Sequence, residues 1–223
     1  MENYRMGGDT NRNLDVTNLQ RTLARKPHLL VVDTSDPMRP RPADGNEYAK
    51  IAAVNRALES FKTDVQTSYR LEMAVDVSVM TFGGDVTIRN EFVRVTDWEP
   101  PTLSVGGEPA PMCEAIIEGA HHLWDYVCRL KDEFIPLRKP HVWLLTDGKP
   151  TDVADYWEDA KTVIEEGAQT DNLSFDAVGI GPNPDMETLE DLISTVPEES
   201  KAQTFEFEPG VFKEFIRDDH SIS

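Results

Sequence analysis

Two short apolar segments, each followed by an aspartate, constrain the fold of this chain more than any other feature. Residues 28–32 lead into Asp33, and residues 141–146 lead into Asp147. Apolar runs of this length, bounded by turn residues, are typical of strands buried on both faces of a parallel sheet. In such sheets ligands bind just beyond the carboxyl ends of the strands. If the two strands are neighbours, both carboxylates converge on one place, which is the best candidate for a functional site.

The rest of the chain alternates strand and helix patterns, which predicts a doubly wound α/β fold with right-handed crossovers. The turn-forming residues Gly83-Gly84-Asp85 predict a hairpin, so the strand after them is expected to be antiparallel and at an edge. We expect strands at 28–33, 73–82, 86–95, 141–146, 173–180 and 203–207, and helices at 14–23, 47–66, 113–134, 155–167, 186–196 and 209–216.

The length of the chain is right for one domain of this class. Its 223 residues accommodate a single α/β domain of about 200 residues, and neither a repeat nor a linker divides them. We predict a polar N-terminal arm over residues 1–26, the folded domain over 27–217 and a polar tail over 218–223.

Charge and cysteine usage exclude several classes of function. The chain has 22 Lys and Arg against 41 Asp and Glu, a formal net charge of −19. That balance argues against binding nucleic acid or anionic membranes, and favours partners that are basic or that bring a metal. No apolar run approaches the roughly 18 residues of a membrane span, and no secretory leader is legible. Cys113 and Cys128 lie on one predicted helix, too far apart to form a disulfide, so we expect free thiols and a cytoplasmic location.

Three oxygen-bearing side chains are the candidate metal ligands. Asp33, Ser35 and Asp147 are hard donors, which suit Mg²⁺ or Mn²⁺ and not zinc. The alternative for each aspartate is a turn-stabilising or helix-capping role after a strand. Cys113 stands at the predicted start of a helix, where thiolates are favoured, and its alternative is a small packing residue.

The order of the elements and three loop motifs resemble the von Willebrand factor A domains. In that family a metal-ion-dependent adhesion site is built from a first loop with Asp-x-Ser-x-Ser, a second with Thr and a third with Asp-Gly. Here Asp33 and Ser35 match the first loop, and Asp147 matches the third. The resemblance covers residues 28–216 and is greatest to the bacterial tellurite-resistance TerY (YegL-like) group. The segments that carry it are 79–83, 111–115, 144–152 and 175–181.

The first and second loops depart from the family pattern. Pro37 stands where the second serine belongs, and Ala110 stands where the threonine belongs. Two of the five expected oxygen ligands are therefore missing. The resemblance implies a degenerate adhesion site in which Asp33, Ser35 and Asp147 hold Mg²⁺ or Mn²⁺ weakly or not at all.

The resemblance implies a non-enzymatic protein–protein interaction module that binds through its metal-site loops. It also implies a role in a bacterial stress-response or conflict system related to tellurite resistance, alongside a phosphatase or kinase-like partner. Two alternatives from other classes remain open: a metal-dependent phosphoesterase that uses Asp33 and Asp147, and a structural subunit of a larger assembly. The residues predicted to contact a partner are Asp36, Trp98, Glu108, Met112, Lys149 and Asp152.

Overall fold

A six-stranded sheet forms the centre of the protein. The computed structural model describes residues 24–39, 50–67, 69–170, 173–197 and 202–207. The strand order is β3-β2-β1-β4-β5-β6, and every neighbouring pair is parallel except β2 and β3. The predicted α/β class, with its antiparallel edge strand, is confirmed. The strands are β1 (Lys26–Asp33), β2 (Val75–Phe82), β3 (Thr87–Arg94), β4 (His141–Thr146), β5 (Ser174–Gly179) and β6 (Ala202–Glu206).

Helices cover both faces of the sheet. They are α1 (Lys50–Gln66), α2 (Tyr69–Ala74), α3 (Met112–Asp132), α4 (Val153–Gln169) and α5 (Met186–Leu192). The short helix α2 was not predicted, and it takes the first two residues assigned to the second strand, since Met and Ala are both good helix formers. The predicted helices at 14–23 and 209–216 lie outside the described residues. None of the described helices has the length and apolar character needed to cross a membrane.

Strand β1 has core on both of its faces. Leu29 and Val31 pack into the cluster beneath α3, whereas Leu30 and Val32 pack into the cluster beneath α1. Side chains of a strand alternate between its two faces, so a continuous apolar run is what a central strand of this kind requires. Strand β3 is mostly exposed, as expected at an edge.

Backbone hydrogen bonds fasten the loop after β1 to the end of β2 and to the loop after β3. The Thr34 N–H donates to the Phe82 carbonyl at 2.6 Å, and the Gly106 N–H donates to the Thr34 carbonyl at 2.7 Å. Gly83 allows this close approach, because a Cβ there would lie 2.5 Å from the Thr34 carbonyl carbon. The same edge of the sheet receives the loop after β4, since β1 and β4 are neighbours with Val32 opposite Leu145.

At the amino-terminal ends of the strands, opposite these loops, two sets of polar side chains are buried. Asp76 forms an ion pair with Arg25 and accepts a 2.8 Å hydrogen bond from the Tyr126 hydroxyl. His28 and His141 stack on each other, and Nδ1 of His28 accepts a hydrogen bond from the indole of Trp143. Burial lowers the pKa of both histidines, while the Asp176 carboxylate, 2.7 Å from Nε2 of His141, acts in the opposite direction on that ring.

Candidate functional site

Asp33 links the first loop to the third. Its Oδ1 accepts a 2.8 Å hydrogen bond from the Ser35 N–H, and its Oδ2 accepts one of 2.8 Å from the Thr146 hydroxyl. The Thr146 hydroxyl in turn accepts a hydrogen bond from the Gly148 N–H at 3.1 Å. The bond to Ser35 is the Asx-type turn that the sequence left open as an alternative. Both oxygens of this carboxylate are therefore occupied by internal donors.

Asp147 is bound by a lysine that none of the sequence motifs includes. Lys50, the first residue of α1, donates from Nζ to Oδ2 of Asp147 at 3.0 Å. The aspartate side chain is 1% exposed and the lysine side chain 17%. Within the described part of the chain, neither Oδ1 of Asp147 nor the hydroxyl of Ser35 has a hydrogen-bond partner. The sequence carries only a faint signal for this contact, namely a lysine near the start of the helix that follows the first loop.

The surroundings of Asp33 alter its pKa. Burial raises the pKa of Asp33, and the charge of nearby Asp147 raises it further, while hydrogen bonds from Ser35 and Thr146 act in the opposite direction. The expected convergence of two carboxylates is thus present, and burial contributes more to the raised pKa of Asp33 than the charge of Asp147 does.

The side chains present do not fit the divalent-metal site of the resembled family. Pro37 and Ala110 contribute no side-chain oxygen, and both oxygens of Asp33 already accept hydrogen bonds. The ammonium of Lys50 lies against Asp147, where it would repel a second cation. No cluster of three or more His, Cys, Asp or Glu side chains suited to a metal occurs among the described residues. Mg²⁺ requires about six oxygen ligands, which water would have to supply almost entirely.

The end of the third loop holds the second loop and caps α3. The Ala110 N–H donates to the Thr151 hydroxyl at 2.9 Å, and the Thr151 N–H donates to the Ala110 carbonyl at 3.0 Å. Asp152 accepts hydrogen bonds from the N–H groups of Cys113, at 3.2 Å, and Glu114, at 2.9 Å. Pro111 at the N-cap position of α3 provides no side-chain cap, so Asp152 supplies it from another loop.

This cap changes the interpretation of two predicted residues. The Asp152 carboxylate caps α3, and its contact with a partner stays a prediction. Burial and the neighbouring Asp152 raise the pKa of the Cys113 thiol to about 12. Of the two alternatives for Cys113, this favours the small packing residue, because desolvation and a nearby carboxylate oppose a thiolate at the helix terminus.

The other predicted partner contacts divide into exposed and buried residues. Asp36, Glu108 and Lys149 are exposed, and Asp36 forms a surface ion pair with Arg39. Trp98 and Met112 instead lie in the core, so as placed they do not present a surface to a partner. The Trp98 indole donates to the Asn90 side chain, and its ring packs edge-on against Phe61. Trp98 is buried with the core beneath α1, and Met112, the first residue of α3, is buried with the core beneath α3.

Two concave areas flank the buried aspartates. One, of about 500 Å³, lies beside the third loop, and the other, of about 190 Å³, lies beside the hairpin between β2 and β3. A cavity of about 510 Å³ lies between α3 and α4, away from the predicted site. The lining of the area beside the third loop includes Lys149, Val153, Trp157, Asp185, Glu187 and Asp191.

No protein-family model matches the sequence, and no curated protein matches it. Solved structures do resemble the fold. The manganese-loaded TRAP protein of Plasmodium vivax is similar with a TM-score of 0.58 and 19% identity, over 87% of this chain and 73% of that one. An aerotolerance-related membrane protein from Bacteroides fragilis is similar with a TM-score of 0.54 and 10% identity, over 86% of this chain and 97% of that one.

A third structure is the ArnB paralog VWA2 from Sulfolobus acidocaldarius. It has a TM-score of 0.54 and 16% identity, over 86% of this chain and 44% of that one. This chain therefore spans less than half the length of VWA2. At these identities the likeness concerns the fold, and the fold is that of a von Willebrand A domain, as the loop motifs predicted.

Proposed function

We propose that this protein is a non-enzymatic interaction module that binds a protein partner through its loop face, with metal binding weak or lost. The loop face comprises residues 34–39, 83–86, 97–111 and 147–152, at the carboxyl edge of the sheet. Von Willebrand A folds often serve in interaction and adhesion, which supports the general class. Fold alone does not define a function, so the geometry of the site has to support it.

One observation carries the proposal. The two aspartates that would serve a metal or a reaction are buried and bound by internal donors, whereas charged side chains on the same loops are exposed. Asp36, Glu108 and Lys149 are the outward-facing members of the predicted set. A partner can contact these residues without displacing the hydrogen bonds that hold Asp33 and Asp147.

The class of partner follows from charge and from the resemblance. A net charge of −19 favours a partner with a basic surface, and it disfavours nucleic acid and anionic membranes. The TerY-like resemblance implies a role for such a module in a cytoplasmic stress-response or conflict system related to tellurite resistance, next to a phosphatase or kinase-like protein. This context belongs to the proposal, and the resemblance alone supports it.

The partner surface can be tested with charge reversals. Glu108→Lys and Lys149→Glu reverse charges on the loop face. Asp132→Lys is the matched control, because Asp132 is the last residue of α3 and the chain that follows it contacts the start of β1, at the end of the sheet away from the loop face. Each protein would be purified by affinity from native cells in the presence of EDTA, with quantitative mass spectrometry of bound proteins. We expect a partner that the wild type and Asp132→Lys retain and that both loop-face variants lose. Equal enrichment by all four proteins would overturn the assignment of this face.

The enzymatic alternative has its own test. A metal-dependent phosphoesterase would release phosphate from generic phosphate esters with Mg²⁺ or Mn²⁺. We expect no release above the buffer rate, because both carboxylates are nearly inaccessible to substrate. Turnover that Asp33→Asn or Asp147→Asn abolishes would overturn the non-enzymatic proposal.

A further inference from the structure

We propose that the ammonium of Lys50, from α1, is a built-in cation beside Asp147 of the loop face, which neutralises that carboxylate and keeps a divalent metal out of the site. This inference rests on the proposed function, since it gives the physical reason for the weak or lost metal binding. It differs from a simple loss of ligands, because it predicts that one substitution increases the affinity of the site for metal.

The position of Lys50 is defined by contacts from two other parts of the chain. Its Nζ lies 3.0 Å from Oδ2 of Asp147, a residue 97 positions away in the sequence. Its aliphatic stem passes over Gly181 just beyond β5, where a Cβ would lie 2.6 Å from Cε of Lys50. Gly181 has φ +111°, a conformation that side chains other than glycine rarely adopt. The glycine therefore leaves space along which the lysine reaches the aspartate.

The degree of burial distinguishes this ion pair from an ordinary surface pair. Lys62 also lies on α1 and also donates to a carboxylate at 3.0 Å, but its partner Glu99 is 88% exposed. Water screens that pair, so it has little influence on its surroundings. Asp147 is 1% exposed, and its interaction with Lys50 is screened much less.

The remaining oxygens show where a metal would compete. Oδ1 of Asp147 and the hydroxyl of Ser35 have no hydrogen-bond partner among the described residues, and both side chains are 1% exposed. These two acceptors could turn toward a divalent ion. The ammonium of Lys50, hydrogen-bonded to Oδ2 of Asp147, opposes that binding in two ways. It repels a second cation, and it occupies one of the oxygens that would bind the ion. Removing the charge while keeping the volume of the side chain should therefore increase metal affinity.

The test is Mn²⁺ binding, measured by the electron paramagnetic resonance signal of free Mn²⁺ during titration, with no partner protein present. Lys50→Met removes the charge, and Lys62→Met is the matched control on the same helix. We expect Lys50→Met to bind Mn²⁺ at least tenfold more tightly than the wild type, and Lys62→Met to behave as the wild type does. Adding Asp147→Asn to Lys50→Met should abolish the gain.

The outcomes separate this inference from the proposed function. Tight, micromolar Mn²⁺ binding by the wild type would overturn both the metal-independent site and the role of Lys50. Weak binding by the wild type and by Lys50→Met alike would overturn the role of Lys50 alone. A gain that survives Asp147→Asn would also overturn it, because the bound ion would then lie elsewhere.

A second measurement keeps the inference testable if Lys50→Met does not fold. Lys50→Gln retains a side chain that can hydrogen-bond to Asp147 without a charge, and it should show the same gain in Mn²⁺ affinity. Thermal melts in metal-free buffer should show that Asp147→Asn lowers the melting temperature less in the Lys50→Gln background than in the wild type. Strictly additive shifts would mean that the two side chains are not coupled, and the inference would fail.

Discussion

The cap that Asp152 provides to α3 leads to the most quantitative prediction. The helix begins at Met112 without a side-chain cap of its own, and the Asp152 carboxylate accepts hydrogen bonds from its Cys113 and Glu114 N–H groups. Loss of an N-cap side chain costs about 0.5–2 kcal/mol, and loss of a negative charge at a helix N-terminus costs about 0.3–1 kcal/mol. These effects overlap, and Asp152 is half-buried. We expect Asp152→Ala to lower the free energy of unfolding by about 1.5 kcal/mol.

The assay for this prediction is thermal unfolding followed by circular dichroism, with urea titration as a second measure. For a chain of this size, about 1.5 kcal/mol corresponds to a decrease in Tm of about 3–6 °C. Asp152→Asn keeps one acceptor and loses the charge, so its decrease should be smaller. Glu158→Ala, on the exposed surface of α4, is the matched control and should stay near the wild type. If Asp152→Ala unfolds at the same temperature as Glu158→Ala, the cap does not stabilise α3 and the reasoning is refuted.

Three further predictions follow from buried or strained residues. Burial lowers the pKa of His28 and His141, so the free energy of unfolding should fall as pH decreases below about 6.5, by up to about 1.4 kcal/mol per pH unit for each ring. Urea unfolding at pH 7.5, 6.5 and 5.5 checks this, and a free energy of unfolding that does not change with pH would contradict it. Because burial raises the pKa of Cys113 to about 12, Ellman's reagent at pH 8 should react with Cys128 but with Cys113 only after denaturation; two rapidly reacting thiols in the native protein would count against this. Phe134 follows α3 with φ 56°, a backbone conformation that glycine adopts more easily than phenylalanine, and its side chain is 93% exposed. Phe134→Gly should therefore raise the free energy of unfolding by about 0.5–1 kcal/mol. A lower Tm would show that the aromatic ring makes contacts that outweigh the backbone strain.

The sheet and the meeting of its two aspartates were predictable because their signals are local. Continuous apolar runs identified β1 and β4 as central strands, and the glycine pair after β2 identified the hairpin. Parallel strands place their carboxyl ends at one edge, so the proximity of Asp33 and Asp147 followed once the strands were neighbours. The first turn of the site was also readable, since an aspartate two residues before a serine commonly accepts the hydrogen bond found here.

The parts of the site that escaped prediction depend on contacts between residues far apart in sequence. Lys50 reaches Asp147 only because α1 and the third loop meet in space, and no local pattern encodes that meeting. The cap from Asp152 joins residues 38 and 39 positions apart. Trp98 was predicted to contact a partner because it lies in a loop, but the path of that loop buries the ring. Loop paths of this kind follow from packing, which single-sequence periodicity does not report.

The most direct test of the central claim, a loop face that works without a divalent metal, is a thermal melt of the wild type in EDTA and in millimolar Mg²⁺ or Mn²⁺. A ligand at 100 times its dissociation constant adds about 2.7 kcal/mol to stability, which for a chain of this size is a rise in Tm of about 5–11 °C. We predict no rise with either ion, because Lys50 occupies Asp147 and Pro37 and Ala110 offer no side-chain oxygen. A rise of this size that Asp33→Ala and Asp147→Ala both abolish would show a working metal site and would contradict the account.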